Sequence, residues 1–214
     1  MPLVKEIHID EGLLVLWELT EELDWLKAQM PSLQKDLTFQ SLKSKKRQQE
    51  WLSVKMMLKH IGCSDLTVLY ASNGQPQINH PRYQHISISH SNQLAGIFLH
   101  PNQQVGLDIE SISRNYSGVK KKYLSPEEIE LTNQNKNWDC LFWCAKEAVY
   151  KIAGIPGIHF ATQISLVPEQ NNQLTAELKT PNHRQLFRLS YFKHCGQFIV
   201  YVTTQNPQQK KITD

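Results

Sequence analysis

Asp108 and Glu110 alternate with Leu107 and Ile109 in the stretch Val105 to Glu110. A strand here sends two apolar side chains to one face and two carboxylates to the other. Carboxylates held side by side repel, and a pair that solvent does not disperse tends to share a proton or hold a cation. Taken alone, the pair also suits an edge strand with a wet polar face. Downstream, Trp143, Glu147 and Lys151 recur every four residues and share one face of a helix. By itself that spacing is an exposed Glu-to-Lys pair worth about 0.3 kcal/mol. Upstream, Ser89, His90 and Ser91 close a run of alternating Ile and Ser. All three can donate hydrogen bonds to an anion, although a histidine at a strand end also serves as a cap or packing residue. Lys46 and Arg47 belong to a basic cluster at a helix start, where positive charge opposes the helix dipole. Such a cluster is either a solvated helix start or serves a ligand.

The elements that position these groups follow from pattern. Residues 4–9 and 13–18 read as strands around an Asp-Glu-Gly turn, and Thr20 can cap a helix through Glu21, Leu23, Trp25 and Leu26. From Lys43 the apolar spacing of Trp51, Leu52, Met56, Met57 and Leu58 gives one face of an amphipathic helix. A strand at 66–70 precedes the turn residues 73–78, and the strand at 86–91 pairs with 94–99 as a hairpin that leads through a turn into Val105. Residues 114–122 form a flexible basic segment. Ser125, Pro126 and Glu128 spell a capping box, and capping alone would explain Glu128. The longest helical stretch runs from Trp138 to Ile152 and ends at Gly154. Strands follow at 161–167, 173–179, 185–193 and 197–204, then the polar tail Gln205 to Asp214.

Length and composition narrow the classes. A chain of 214 residues, 40% hydrophobic and 20% charged, can bury a core as one large domain or two of about 100 residues. The start lacks the blocks of a signal peptide and no apolar run reaches membrane-spanning length, which leads to the expectation of a cytoplasmic protein. Four cysteines, of which only Cys140 and Cys144 lie close, suit reduced packing thiols. A net charge of +3 permits an anionic ligand without singling out nucleic acid.

Gly-Leu-Asp-Ile-Glu at 106–110, followed by Trp-Cys-Ala-Lys-Glu-Ala-Val-Tyr-Lys at 143–151, resembles the signature pair of the 4'-phosphopantetheinyl transferases. Asn-Gly-Gln-Pro-Gln-Ile at 73–78 and Ile-Ser-Ile-Ser-His-Ser at 86–91 are similar to that family's two upstream motifs, in the same order. The length resembles the Sfp-type branch. The resemblance implies an α+β fold of two similar α/β halves in one monomeric chain, residues 1–104 and 105–214, with the active site between them.

It further implies transfer of the phosphopantetheine arm of coenzyme A to a serine of an acidic acyl- or peptidyl-carrier protein, releasing adenosine 3',5'-bisphosphate. By similarity Asp108, Glu110 and Glu147 would surround Mg²⁺, an ion that favours oxygen ligands. Lys151 would steady the leaving group, and Ser89 and His90 would meet the ribose phosphate, with Arg47 and Lys46 as basic helpers. Glu147 and Glu128 both occupy positions the family offers for a general base, which must lie within hydrogen-bond reach of the serine. Arg114 to Lys122 would dock the carrier. Two positions depart from the pattern: Gln75 stands where a basic residue contacts the nucleotide, and Cys144 replaces a serine. Two other classes fit parts of the chain. A metal-dependent phosphohydrolase could use the same carboxylates with water, and a nucleic-acid binding module could use the two basic runs, although no aromatic residues interleave them.

Overall fold

Leu13 to Trp17 run without a polar break, as a strand buried on both faces requires, and all five are buried. They lie in β2 (Gly12–Glu18), which pairs with β1 (Leu3–Ile9) as a hairpin. The structure is a computed structural model that describes residues 3–181 and 183–204. The polar tail Gln205 to Asp214 lies outside the described residues. Thr20 does not cap the next helix. α1 (Leu23–Gln29) begins with Glu22 at its cap position, which leaves Thr20 too far upstream for its hydroxyl to reach the first free amides. A short 3-10 turn and α2 (Leu37–Ser41) lead to α3 (Lys45–His60), started by Ser44, whose hydroxyl accepts from the Arg47 amide.

The residues expected as a turn at 73–78 divide. β3 (Val68–Tyr70) pairs with β4 (Pro76–Ile78), and Gly74 at φ +82° makes the bend between them. β5 (His85–His90) and β6 (Leu94–His100) form the expected antiparallel pair, followed by β7 (Val105–Ser111). The basic segment is not loop throughout, because Lys120–Tyr123 winds into α4 around the buried Tyr123. α5 (Pro126–Gln134) opens on the expected capping box, and α6 (Trp138–Ala153) ends at Gly154 in the left-handed conformation. The strand expected from 161 starts later. Phe160–Gln163 form α7, because the Lys146 ammonium gathers the carbonyls of Phe160 and Ile164, four residues apart, into one helical turn. β8 (Ile164–Pro168), β9 (Gln173–Thr180), β10 (His183–His194) and β11 (Gln197–Thr203) complete the chain as antiparallel strands.

The result is a mixed α/β fold with two main sheets, of order β1-β2-β6-β5 and β7-β11-β10-β9-β8. One core packs α3 against the first sheet through Leu13, Val15, Trp17, Leu52, Met57 and Ile97. Another packs α6 against the second through Phe142, Ala145, Val149, Phe198, Val200 and Val202. A third fills the space between the sheets with Leu14, Leu16, Phe98, Leu107, Ile109 and Ile199. Strand alternation accounts for all three, since successive residues of β2, β6 and β11 face opposite ways and both ways are covered.

β5 and β7, the edge strands of the two sheets, lie side by side without a backbone ladder. Serine hydroxyls stand in for it. Ser87 Oγ accepts from the Leu107 amide at 2.9 Å, and Ser89 Oγ from the Ile109 amide at 3.1 Å. This answers the edge-strand reading of Val105 to Glu110: β7 is an edge by its ladder, yet it is covered, and its acidic face turns under α6. Gly106 permits that approach, because a Cβ there would meet the Ala148 carbonyl oxygen at 2.3 Å.

Candidate functional site

The face of α6 marked by Trp143, Glu147 and Lys151 lies over the acidic face of β7. At one end the Trp143 Nε1–H donates to Glu110 Oε1 at 2.7 Å. At the other the Lys151 ammonium donates to Asp108 Oδ1 at 2.8 Å. Glu147 is one helical turn from each partner. The surface reading of the Glu147–Lys151 spacing therefore fails: Lys151 points between the sheets, where it also donates to the carbonyls of Leu107 and Ile88. Its three protons are all committed. Ser89 is spent in the same seam, accepting from Ile109 and donating to Asp108 Oδ1 at 2.9 Å.

The three carboxylates have different surroundings. Asp108 is 5% exposed and its Oδ2 is buried with no hydrogen-bond partner. Glu110 is held by Arg114 at 2.7 Å, by the Tyr116 hydroxyl at 3.2 Å and by Trp143. Glu147 makes no side-chain hydrogen bond among the described residues. Burial, followed by the nearby Asp108 charge, pushes its carboxyl from an ordinary 4.5 up to about 7, with Glu110 adding to the rise and Lys151 and Arg114 opposing it. The oxygens of the three do not converge on one point. Among the described residues only Glu18, His194 and Cys195 bring three such ligand atoms within 4.8 Å of one another. The set nonetheless fits a hard cation: every donor is a carboxylate oxygen, and Asp108 Oδ2 is a buried acceptor that nothing in the protein satisfies.

A cavity of ≈ 390 Å³ opens beside Glu147 and is lined by Arg47, Gln75, His90, Tyr150 and Lys151. A second, of ≈ 700 Å³, holds Lys46, Arg47, His90, Glu110 and Arg114. Arg47 and His90 line both. They are joined by Glu50, a buried carboxylate that sequence reasoning missed. Its Oε2 accepts from Arg47 at 3.1 Å and its Oε1 lies 3.3 Å from His90 Nδ1. Its position three residues after Arg47 and four after Lys46 was the available signal, since both spacings share a helix face. Burial holds the His90 ring below its usual titration range although Glu50 pulls upward, and Arg47 and Lys151 add to the depression. Lys46 reaches Asn92 and Glu50 at the same rim.

Gln75 has its own employment. Its amide donates to the Lys151 carbonyl at 3.2 Å, and Asn73 donates to the Gly154 carbonyl at 3.1 Å. Two amides of the β3–β4 hairpin thus satisfy the free end of α6. Glu128, one of two candidate bases from sequence, is not at either cavity. It is 2% exposed, its Oε2 takes the Lys146 ammonium at 2.6 Å and the Ser125 amide, and its Oε1 takes the Leu166 amide at 2.9 Å. Cys144 is a buried thiol whose Sγ lies 3.7 Å from the Phe198 carbonyl, so the replaced serine leaves a packing residue.

Residues 104–203 match the sequence model of the 4'-phosphopantetheinyl transferase superfamily. No curated protein matches the chain. The matched stretch includes Asp108, Glu110, Glu147 and Lys151, while Arg47, Gln75, Ser89 and His90 precede it. No helix among the described residues is long and apolar enough to cross a membrane.

Proposed function

We propose that the protein is a 4'-phosphopantetheinyl transferase of the Sfp type, with halves 1–104 and 105–214 enclosing the site, that acts as a monomer in the cytoplasm. It moves the phosphopantetheine arm of coenzyme A to a serine hydroxyl of an acidic acyl- or peptidyl-carrier protein and releases adenosine 3',5'-bisphosphate. One observation carries this reading: within the family-matched stretch, a buried unsatisfied Asp108 oxygen lies under the same helix face as Glu147, which lines the cavity.

Asp108, Glu110 and Glu147 would hold Mg²⁺, which when bound withdraws charge from a pyrophosphate. The remaining roles belong to the chain's own groups. Arg47 offers its remaining guanidinium donors to the separate ribose phosphate, and His90, whose Nε2 lies 3.0 Å from Arg47 and whose Nδ1 faces Glu50, positions it there, with Lys46 at the rim. Gln75 brings an amide rather than a charge to the nucleotide wall. Lys151 acts on the leaving group by holding Asp108, since its ammonium has no proton to spare. The carrier serine oxygen forms a bond to the phosphorus that bears pantetheine, the bond from that phosphorus to the bridging oxygen breaks, and the bisphosphate leaves with the electron pair. The serine proton passes to Glu147, whose carboxyl faces the cavity. Lys121 and Lys122, both exposed, are the part of the basic segment free to meet an acidic carrier, because Arg114 is paired to Glu110 and Lys120 to Asp139.

Intact mass of an apo-carrier after incubation with coenzyme A and Mg²⁺ tests the reaction. A gain of one phosphopantetheine is expected, and it should disappear with Asp108→Ala. Consumption of coenzyme A without carrier would instead indicate a hydrolase and overturn the proposal.

A further inference from the structure

Three residues outside that site converge on one point. Glu18 ends β2, His194 ends β10, and Cys195 begins the two-residue turn to β11. A carboxylate oxygen, an imidazole nitrogen and a thiol sulfur lie within 4.8 Å of one another. They come from both sheets, so the cluster spans the fold. Cys195 differs from the other three cysteines, which are buried, in being exposed. It stands at φ +45° before Gly196 at φ +69°, a turn position that ordinarily takes Asn, Asp or Gly, so neither packing nor turn geometry accounts for a thiol there.

Unsatisfied polar atoms gather at the same place. His194 Nε2 is buried with no hydrogen-bond partner. Gln197, paired directly with His194 across the hairpin, is only 1% exposed and leaves its Oε1 without a partner. Buried polar atoms in native folds are nearly always satisfied, by protein, water or an ion. The only polar contact within the triad is the Cys195 thiol donating to Glu18 Oε1 at 3.5 Å.

We propose that Glu18, His194 and Cys195 form a zinc-class metal site that ties the β10–β11 turn to the end of β2. One sulfur, one nitrogen and one oxygen donor match the borderline character of zinc and suit Mg²⁺ poorly. Three protein ligands leave the fourth tetrahedral position to water. On binding, the Cys195 S–H bond is exchanged for a sulfur–metal bond, the proton leaves to solvent and no electron changes hands. The weak thiol-to-Glu18 hydrogen bond is replaced by two bonds to one ion, and the two sheets gain a link.

The test uses full-length, untagged, metal-free protein with Mg²⁺ in excess to occupy oxygen-only sites. Zinc is titrated in competition with a chromophoric chelator, and cobalt is then substituted to report on the ligands. One tight equivalent of zinc is expected, with a thiolate-to-cobalt charge-transfer band and a zinc-dependent rise in Tm. The band should vanish in Cys195→Ser, and the equivalent and the Tm rise should vanish in the His194→Ala/Cys195→Ser double variant. Undiminished zinc binding in the double variant, or a cobalt spectrum lacking the thiolate band in the unaltered protein, would overturn the proposal. The Cys195→Ser comparison decides the matter if loss of His194 disturbs folding.

Discussion

Glu147 shows how a residue can be poised by its neighbours rather than by a hydrogen bond. Its carboxyl loses water on folding and faces Asp108 and Glu110, so the proton is held more tightly than in the unfolded chain. The folded form therefore binds more protons than the unfolded form between the ordinary 4.5 and about 7. In that window stability must fall as pH rises, levelling above it. Without metal, Glu147→Gln should raise stability by about 1–2 kcal/mol near pH 8, after allowance for screening, and leave it unchanged near pH 4. Urea denaturation with chelator present would measure both values. Mg²⁺ should reverse the order at the higher pH, because ionised Glu147 then gains a partner that glutamine cannot provide. An equal effect at both pH values would mean that the carboxyl is not perturbed.

At the scale of elements, the capping box and the buried lysine divide one carboxylate between two tasks. Ser125, Pro126 and Glu128 made the start of α5 legible in the sequence, and the reciprocal cap is present. The rest of its bonding was not legible, because Lys146, which shares Oε2 with the cap, and Leu166, whose amide takes Oε1, are distant in sequence and a lysine in a helix ordinarily signals solvent. Lys146 is instead fully buried, with Glu128 and two carbonyls satisfying its three protons. Breaking such a pair from one side leaves a buried charge, so Glu128→Ala should cost about 3–5 kcal/mol. Glu128→Leu combined with Lys146→Met should recover most of that loss in a denaturation curve. The carrier-labelling rate per folded molecule separates this role from proton transfer. Glu128→Gln should keep it, and its collapse in a folded variant would return Glu128 to the reaction.

Across the whole molecule, what could be read in advance was local and what could not was the joining of distant parts. Periodicity gave β5, β6, β7 and α6 nearly to the residue, because each satisfies its own pattern. It gave no sign that the serines of Ile-Ser-Ile-Ser would act as backbone surrogates, since a serine on an alternating strand reads as a solvent face. Nor did it show that Gln75 would cap α6, a contact that depends on where the separate β3–β4 hairpin comes to rest. In the assembled fold Ser87 and Ser89 accept the two β7 amides that would otherwise be buried without partners. Ser89 also orients Asp108, so the junction between sheets and the acidic site share a residue. Removing both hydroxyls strands two amides, each at about 1–3 kcal/mol. In Ser87→Ala/Ser89→Ala, hydrogen exchange at the Leu107 and Ile109 amides should accelerate strongly while exchange in β9 and β10, which keep their ladders, follows only the global stability. If those two amides slowed or stayed level with β9 and β10, the sheets would have to be held together by the Leu14, Leu107 and Ile109 core alone, and the serines would be passengers at the seam.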